Sequence, residues 1–280
     1  MLAPAALPER YSQWNNQHGA PFGRGDPKKT MWNLFRSRRS VEELRGPFSV
    51  QINNTTREFE YPWAFEAANL SPGMHVVELG GGLSGFQFVL DSGGCHVVNV
   101  DPGMEANGRG WPCDSAAMKK LNCLFGTHVE LRNTTIENAG LADDSVDRVF
   151  SISVIEHLTD QDIVGAMKNV HRCLKVGGLF ILTVDLFLNL DPFCSRSRNE
   201  FGCNQNIRWM VELGDWELVT GSPTELFGFD SFQADTIVSN MDKYLIGRYY
   251  PAMVQCLVLK KISSNIKNYL DRRLEMGSFR

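Results

Sequence analysis

The stretch "HVVELGGGLSGFQFVLDSGGCHVVNVDPG", residues 75–103, carries the clearest structural pattern of the chain. An apolar run ends at the carboxylate Glu78, a cluster of glycines follows, and a second apolar run ends at another carboxylate, Asp101. This pattern predicts a strand, a tight turn into a helix, and a second strand. The carboxyl ends of parallel strands share one edge of a sheet, and open α/β sheets bind their ligands at that edge. The two acids and the glycines between them are therefore the predicted ligand site.

The rest of the chain continues this alternation of strand and helix. Predicted strands cover residues 74–80, 95–101, 128–134, 146–153, 178–186, 216–221 and 253–261. Predicted helices cover residues 84–91, 115–125, 160–174 and 206–213, and "YPWAFEAANL" predicts one more, with Pro62 in its first turn. Strands separated by helices predict a mainly parallel sheet that is covered on both faces.

The glycine loop admits two kinds of nucleotide ligand. Gly80, Gly82 and Gly85 satisfy the bare dinucleotide fingerprint, and Asp101 lies about 20 residues on, as a ribose-binding acid should. That signal is weak alone, because a tight strand-to-helix turn needs glycines whatever it binds. Glu78 disfavours a pyrophosphate seated on the helix N-terminus and favours an ammonium or sulfonium group. S-adenosylmethionine carries both of these cations and a ribose diol, but no phosphate.

At this point the chain resembles the class I S-adenosylmethionine-dependent methyltransferases. Their acid-x-Gly-x-Gly-x-Gly loop is present as "ELGGGLS", residues 78–84, and the later family motifs are similar to "VVNVDPG", "LADDSVDRVFSISVIEHL" and "VHRCLKVGGLFILTV". These pieces occur in the family's order over roughly residues 70–185. The resemblance implies an α/β, Rossmann-like fold: a mainly parallel seven-stranded sheet with helices on both faces, plus an N-terminal extension and lid insertions.

The resemblance also implies a set of cofactor-binding residues for S-adenosylmethionine. In the family the acid at the place of Asp101 binds both ribose hydroxyls. Two positions depart from the family pattern. Ser84 holds the third glycine position, and Thr135 stands where many relatives have an acid for the adenine amino group, so its hydroxyl or the backbone of Ile136 is expected to take over. The complete implied set is Glu78, Gly80, Gly81, Gly82, Ser84, Asp101, Pro102, Thr135, Ile136 and Ser151.

His157, in "SVIEH", is the predicted catalytic residue. It follows the fourth strand, near the expected methyl group, and an imidazole has a pKa suited to taking a proton at neutral pH. The alternative is that it caps the next helix or packs against the adenosine. Glu156 is expected to be a structural or substrate-orienting carboxylate, and Asp185 either faces the acceptor or caps a loop.

The expected organisation has three parts. Residues 1–60 form an N-terminal extension or lid. Residues 61–262 form the methyltransferase domain, with a substrate-lid insertion at 187–250. Residues 263–280 form a helical tail that docks on the domain or on a second copy of the chain, which leaves a homodimer open.

Composition excludes several classes of protein. A net charge of −4 over 280 residues argues against a nucleic-acid partner. The seven cysteines are odd in number and scattered without metal-ligand spacing, so reduced thiols and no metal site are expected. The most apolar stretch carries Asp185 and is too short to span a bilayer. A cytoplasmic protein without membrane contact is therefore predicted.

Two alternatives stay open beside a methyltransferase that acts on an O-, N- or C-nucleophile of a small molecule. The first is a Rossmann oxidoreductase that uses NAD(P), which is disfavoured by Glu78 and by the lack of a well-placed Tyr-x-x-x-Lys pair. The second is a non-catalytic methyltransferase-like subunit that binds a partner through its lids. Ser84 and Thr135 keep this second alternative open.

Overall fold

The structure is a computed structural model that describes residues 1–25, 40–105, 113–190 and 198–263. Within these ranges one seven-stranded sheet has the order β3-β2-β1-β4-β5-β7-β6. Strands β1 to β5 pair in parallel, and β7 runs antiparallel to both of its neighbours. The strands are β1 (His75–Leu79), β2 (His96–Val100), β3 (Glu130–Arg132), β4 (Val146–Ile152), β5 (Leu174–Phe187), β6 (Trp216–Thr220) and β7 (Ala252–Lys261). The predicted sheet is confirmed.

The helices of the main domain begin and end within one residue of the predicted bounds. They are α4 (Gly85–Ser92), α5 (Ser115–Phe125), α6 (Asp160–Cys173) and α7 (Ile207–Glu212). Before them come α1 (Glu9–His18), α2 (Val41–Arg45) and α3 (Arg57–Ala67), and α8 (Ala234–Ser239) precedes β7. A capping box between Thr159 and Asp162 explains why α6 begins where it does. Each helix in the described ranges is too short or too polar to cross a bilayer.

The prediction that Pro62 lies in the first turn of its helix is wrong, because α3 begins at Arg57 and encloses the proline. Proline has no N–H, so the carbonyl of Glu58 loses its donor within the helix. The side-chain amide of Asn15, on α1, donates to that carbonyl at 2.7 Å. A neighbouring helix therefore supplies the hydrogen bond that the local sequence cannot make.

Two hydrophobic cores cover the two faces of the sheet. On one face Phe86 of α4 packs against Phe150 and the α3 side chains. On the other face Met167 of α6 packs against Val149 and Phe180. Side chains alternate between the faces along each strand, as a sheet buried on both sides requires.

The described part of the N-terminal extension packs on the main domain. Leu2 forms an antiparallel bridge with Gln255 of β7. Farther along, the Gln51 side chain accepts a hydrogen bond from the Leu83 backbone N–H at 2.9 Å. The extension thus reaches the glycine loop after β1. The predicted helical tail, 263–280, lies outside the described residues except for residue 263.

Candidate active site

The loop after β1 depends on the absence of side chains. Gly80 and Gly82 have φ angles of 64° and 54°, in the left-handed region that favours glycine. A Cβ atom on Gly80 would lie 2.7 Å from a methyl carbon of Val154, and one on Gly81 would lie 2.8 Å from the carboxyl carbon of Glu78. The loop therefore packs closely against β1 and against the segment that follows β4.

Asp101, at the end of β2, closes the loop from the other side. Its carboxylate is buried and accepts from the backbone N–H of Gly82 at 2.7 Å and of Gly103 at 2.6 Å. The Asn99 side chain donates to the Gly82 carbonyl at 2.8 Å. Each carboxylate oxygen has two lone pairs, so Asp101 can still accept hydrogen bonds from a ribose diol.

Glu78 is the unusual group of the loop. It is 2% exposed, its Oε1 accepts from the Ser84 hydroxyl at 3.0 Å, and its Oε2 has no hydrogen-bond partner within the described part of the chain. Burial raises the pKa of Glu78 to about 8, the Ser84 hydrogen bond opposes that rise, and the nearby Asp101 charge adds to it. A buried carboxyl oxygen without a donor fits a cationic ligand that donates to it. The residues present therefore fit S-adenosylmethionine.

Ser84, Pro102 and Ser151 lie at the same edge of the sheet. Ser84 is the residue before α4, and Pro102 follows Asp101 directly. Ser151 on β4 pairs with Leu79 of β1, and its buried hydroxyl has no partner among the described residues. The structure brings these residues together around the loop, and their contact with the cofactor stays a prediction.

The adenine end of the predicted site involves residues that follow β3. Thr135 is exposed and accepts from the Asn138 side chain at 3.3 Å, whereas Ile136 is buried in the core. Asn133, which the sequence analysis did not single out, donates to the Asp101 carbonyl at 3.2 Å. The place of Asn133 directly after β3 is the signal that points to it. The roles of Thr135 and Ile136 stay predictions.

His157 ends a short 3-10 helix, Ile155–His157. Its ring Nδ1 is within hydrogen-bonding distance of the Phe201 carbonyl oxygen. Its own carbonyl accepts from the Arg198 side chain at 2.6 Å. Both contacts come from the predicted substrate-lid insertion. The role of His157 as a base stays a prediction.

A second buried polar group, named here the carboxyl cluster, lies at the ends of β4 and β5. Glu60, on α3, is fully buried and accepts from the hydroxyls of Ser153 at 2.7 Å and Thr183 at 2.6 Å. Its other oxygen pairs with Arg57. Ser153 has a φ of 47°, which is strained for a residue with a side chain and occurs preferentially at functional sites. The members of the cluster are Arg57, Glu60, Ser153, Glu156, Thr183, Asp185 and Tyr250.

Two carboxyls of the cluster have raised pKa values. Asp185 is fully buried and accepts from the Tyr250 hydroxyl at 2.8 Å. Burial, together with the charges of Glu156 and Glu60, raises the pKa of Asp185 well above its ordinary value. Burial also raises the pKa of Glu156 to about 7, partly offset by the backbone N–H groups of Glu156 and Asp185. At neutral pH this pair can take up a proton.

The sequence analysis considered Glu156 and Asp185 but missed Arg57, Glu60 and Tyr250. None of these three lies in a recognisable motif, and each belongs to a segment outside the regular strand–helix alternation. Only the packing of α3 and of the segment before β7 on the sheet brings them to the strand ends.

Comparison with known proteins assigns the central part of the chain to a class of domain. Residues 77–182 match the family model described as a methyltransferase domain. Together with the sheet order, this match identifies residues 77–182 as a methyltransferase domain with the class I, Rossmann-like fold. The resemblance drawn from the four sequence motifs is confirmed. A sequence comparison with curated proteins gives no match.

Similar solved structures share the fold at low sequence identity. A geranyl diphosphate methyltransferase in complex with S-adenosylmethionine is 14% identical, with a TM-score of 0.51 over 88% of this chain and 95% of that chain. The same kind of enzyme with geranyl diphosphate and sinefungin is 13% identical, with a TM-score of 0.51 over 92% and 95%. A geranyl diphosphate C-methyltransferase from Streptomyces coelicolor is 14% identical, with a TM-score of 0.49 over 91% and 97%.

Proposed function

We propose that this methyltransferase acts on a small-molecule acceptor and holds its cofactor between Glu78, the glycine loop and Asp101. The observation that carries the cofactor site is the buried Glu78 carboxyl, which keeps one oxygen without a donor from the described residues, beside a loop with no side chains. Asp101 offers lone pairs to the ribose diol. Ser84 holds Glu78 in place through its hydroxyl.

When bound, the cofactor supplies a methyl group on a sulfonium, whose leaving group is already activated. The protein therefore has mainly to orient the acceptor and to exclude water. We propose that residues 1–60 and the insertion 187–250 do this. The contact of Gln51 with the loop and the contact of Tyr250 with Asp185 support that assignment, because both segments already reach the strand ends.

Ligand binding tests the cofactor site. We expect isothermal titration calorimetry to detect S-adenosylhomocysteine and not NADH, because NADH would place a pyrophosphate near Glu78. Asp101→Ala should weaken S-adenosylhomocysteine by about tenfold or more, since it removes a charged hydrogen-bond acceptor. Glu217→Gln, on the exposed edge strand β6, is the matched control and should leave binding unchanged. Binding of NADH alone would refute the proposed cofactor site.

Label transfer tests the class of acceptor. The protein is incubated with methyl-labelled S-adenosylmethionine and a cell extract that a size filter has divided into small and large molecules. We expect label in the small-molecule fraction. Label confined to the large-molecule fraction would contradict a small acceptor. Tight cofactor binding with label in neither fraction would favour the non-catalytic subunit instead.

The same assay tests His157. We expect His157→Ala to reduce label transfer by at least about tenfold if the imidazole takes the proton of the acceptor, since general-base catalysis contributes about 100-fold or more. A smaller reduction would remove His157 from the mechanism and leave its lid contact with Phe201 as its role.

A further inference from the structure

We propose that Glu156 and Asp185 form the acceptor subsite, and that the acceptor is a basic amine that binds as an ammonium ion. This inference rests on the proposed function, because the two carboxyls are placed relative to the cofactor loop. It names the chemical class of the small molecule. It also assigns the proton-accepting role to a carboxyl pair instead of His157, so a small effect of His157→Ala on label transfer would agree with it.

The first support is the state of Glu156. It is fully buried, and neither of its carboxyl oxygens makes a hydrogen bond of normal geometry within the described residues. A buried polar group without a partner is rare in folded proteins, and its desolvation is unfavourable. The buried acid of α3 is different, because Glu60 has Arg57, Ser153 and Thr183 as partners. Among the described members of the cluster, Glu156 is therefore the acid whose carboxyl makes no hydrogen bond of normal geometry, and a ligand ammonium would provide one.

The second support is position. The residue two places before Glu156 is Val154, whose side chain packs against Gly80 of the cofactor loop. The Arg57 guanidinium donates to the hydroxyl of Ser153, the residue before Val154, at 2.7 Å. The carboxyl cluster is thus next to the cofactor site, at the strand ends where this fold binds ligands.

The third support is the charge of the cluster. Three carboxyls, of Glu60, Glu156 and Asp185, are buried beside Arg57, whose side chain is 14% exposed and is the one basic side chain among the cluster members. When the pair is ionised, an anionic acceptor would be repelled by it, and a neutral alcohol would leave its charge unpaired. An ammonium ion donates three hydrogen bonds and neutralises one carboxylate. A buried carboxyl pair with too few cations therefore selects a cationic acceptor.

Methyl transfer to an ammonium acceptor can be written with Glu156 and Asp185 so that protons and electrons balance. The ammonium ion of the acceptor gives one proton to the Glu156–Asp185 pair and becomes a neutral amine. The nitrogen lone pair then forms the N–C bond to the methyl group as the C–S bond breaks, and the bonding electrons stay on sulfur. The products are the methylated ammonium ion and S-adenosylhomocysteine, and the carboxyl pair later releases its proton to water.

Access to the pair requires one movement. Asp185 is covered by the Tyr250 hydroxyl, which donates to it at 2.8 Å, and the Tyr250 ring stacks on Phe201 with 4.3 Å between ring centroids. Because Glu156 and Asp185 are fully buried, the acceptor reaches them only when the segment with Tyr250 moves away.

Sinefungin is the probe for this subsite. It has an amino group at the place of the transferred methyl group, whereas S-adenosylhomocysteine has nothing there. The two compounds share every other group that faces Glu78 and Asp101, so the ratio of their dissociation constants reports the charge at the acceptor side. We expect the full chain to bind sinefungin at least about tenfold more tightly than S-adenosylhomocysteine, as for a charged hydrogen bond.

Variants of Glu156 and Asp185 test whether the carboxyl pair causes the preference for sinefungin. We expect Glu156→Gln and Asp185→Asn each to reduce the preference severalfold, with the affinity for S-adenosylhomocysteine nearly retained. The control Glu217→Gln changes the same charge on the surface and should keep the full preference. A preference that is absent, or that survives both variants, overturns the inference and leaves the proposed function intact. Failure of both compounds to bind would overturn the proposed function as well.

A pH series on the unmodified chain covers the case in which a variant fails to fold. The preference for sinefungin should be largest at pH 8 and should decline toward pH 5.5, because protonation of Glu156, whose pKa is about 7, removes its attraction for the amino group. A preference that does not depend on pH would contradict the inference. Other titratable or charged groups near the pair are Arg57, Glu60, His157, Cys203, Tyr250 and Cys256.

Discussion

Replacing Glu78 by Gln should make the ligand-free protein more stable at pH 8 and should weaken its binding of cofactor. The folded state holds the Glu78 proton up to a pKa of about 8, whereas the unfolded chain releases it near 4.5. Between these values the folded state binds more protons, so rising pH destabilises the wild-type protein. Glutamine does not titrate, and the variant avoids this loss.

The magnitude follows from the two pKa values. Each pH unit between them corresponds to about 1.4 kcal/mol, so the loss between pH 5 and pH 8 is at most about 3 to 4 kcal/mol. The group is fully buried, so little solvent screening reduces this figure. Glu156 and Asp185 add to the pH dependence of both proteins, and their contribution cancels in the difference between variant and wild type.

Urea unfolding at several pH values measures that difference. We expect the unfolding free energy of Glu78→Gln minus that of wild type to rise by about 3 kcal/mol from pH 5 to pH 8. Calorimetry on the same variant should show weaker binding of S-adenosylhomocysteine. The exposed control Glu217→Gln should show a flat difference over this range. A change below about 1 kcal/mol for Glu78→Gln would mean that Glu78 is ionised in the folded state, and the reasoning about its burial would be refuted.

Two further predictions concern stability. Gly80→Ala should lower the unfolding free energy by about 2 kcal/mol in chemical denaturation, because alanine is strained at a φ of 64° and its Cβ meets Val154 at 2.7 Å. Adding Val154→Ala to the same chain should recover part of this loss. No recovery would exclude the clash with Val154 as its cause. Asn15→Ala should lower it by about 1 kcal/mol, because the Glu58 carbonyl loses its donor. In a Pro62→Ala background the loss of unfolding free energy caused by Asn15→Ala should be smaller, because alanine at position 62 restores the helical N–H. An equal loss in both backgrounds would contradict the proposed role of Asn15.

Most elements of the fold were predictable from the sequence, because they depend on short-range patterns. Parallel strands buried on both faces are nearly continuous apolar runs, and the stripe of α6 repeats at helical spacing. Glycine clusters, capping residues and strand-ending acids mark where each element begins and ends. The position of α3 was harder to predict, since Pro62 is tolerated only because Asn15, from another helix, donates to the Glu58 carbonyl.

The loop half of the candidate site was predictable for the same reason. Glu78, the glycines and Asp101 lie within one strand–turn–helix–strand unit, so their spacing along the chain determines their placement. The burial that leaves a Glu78 oxygen without a donor from the described residues, and that raises its pKa, is not a local property. It depends on the side chains that cover the loop, including those of the N-terminal extension.

The order of strands and helices, the glycine loop and the two strand-ending acids could be read from the sequence, because neighbouring residues carry that information. The carboxyl cluster could not, because it forms only through contacts between distant segments. Arg57 and Glu60 come from a helix before the first strand, and Tyr250 comes from a segment just before the last one. They meet Asp185 because the parallel sheet brings distant segments to one edge, and their charges matter there because water is excluded.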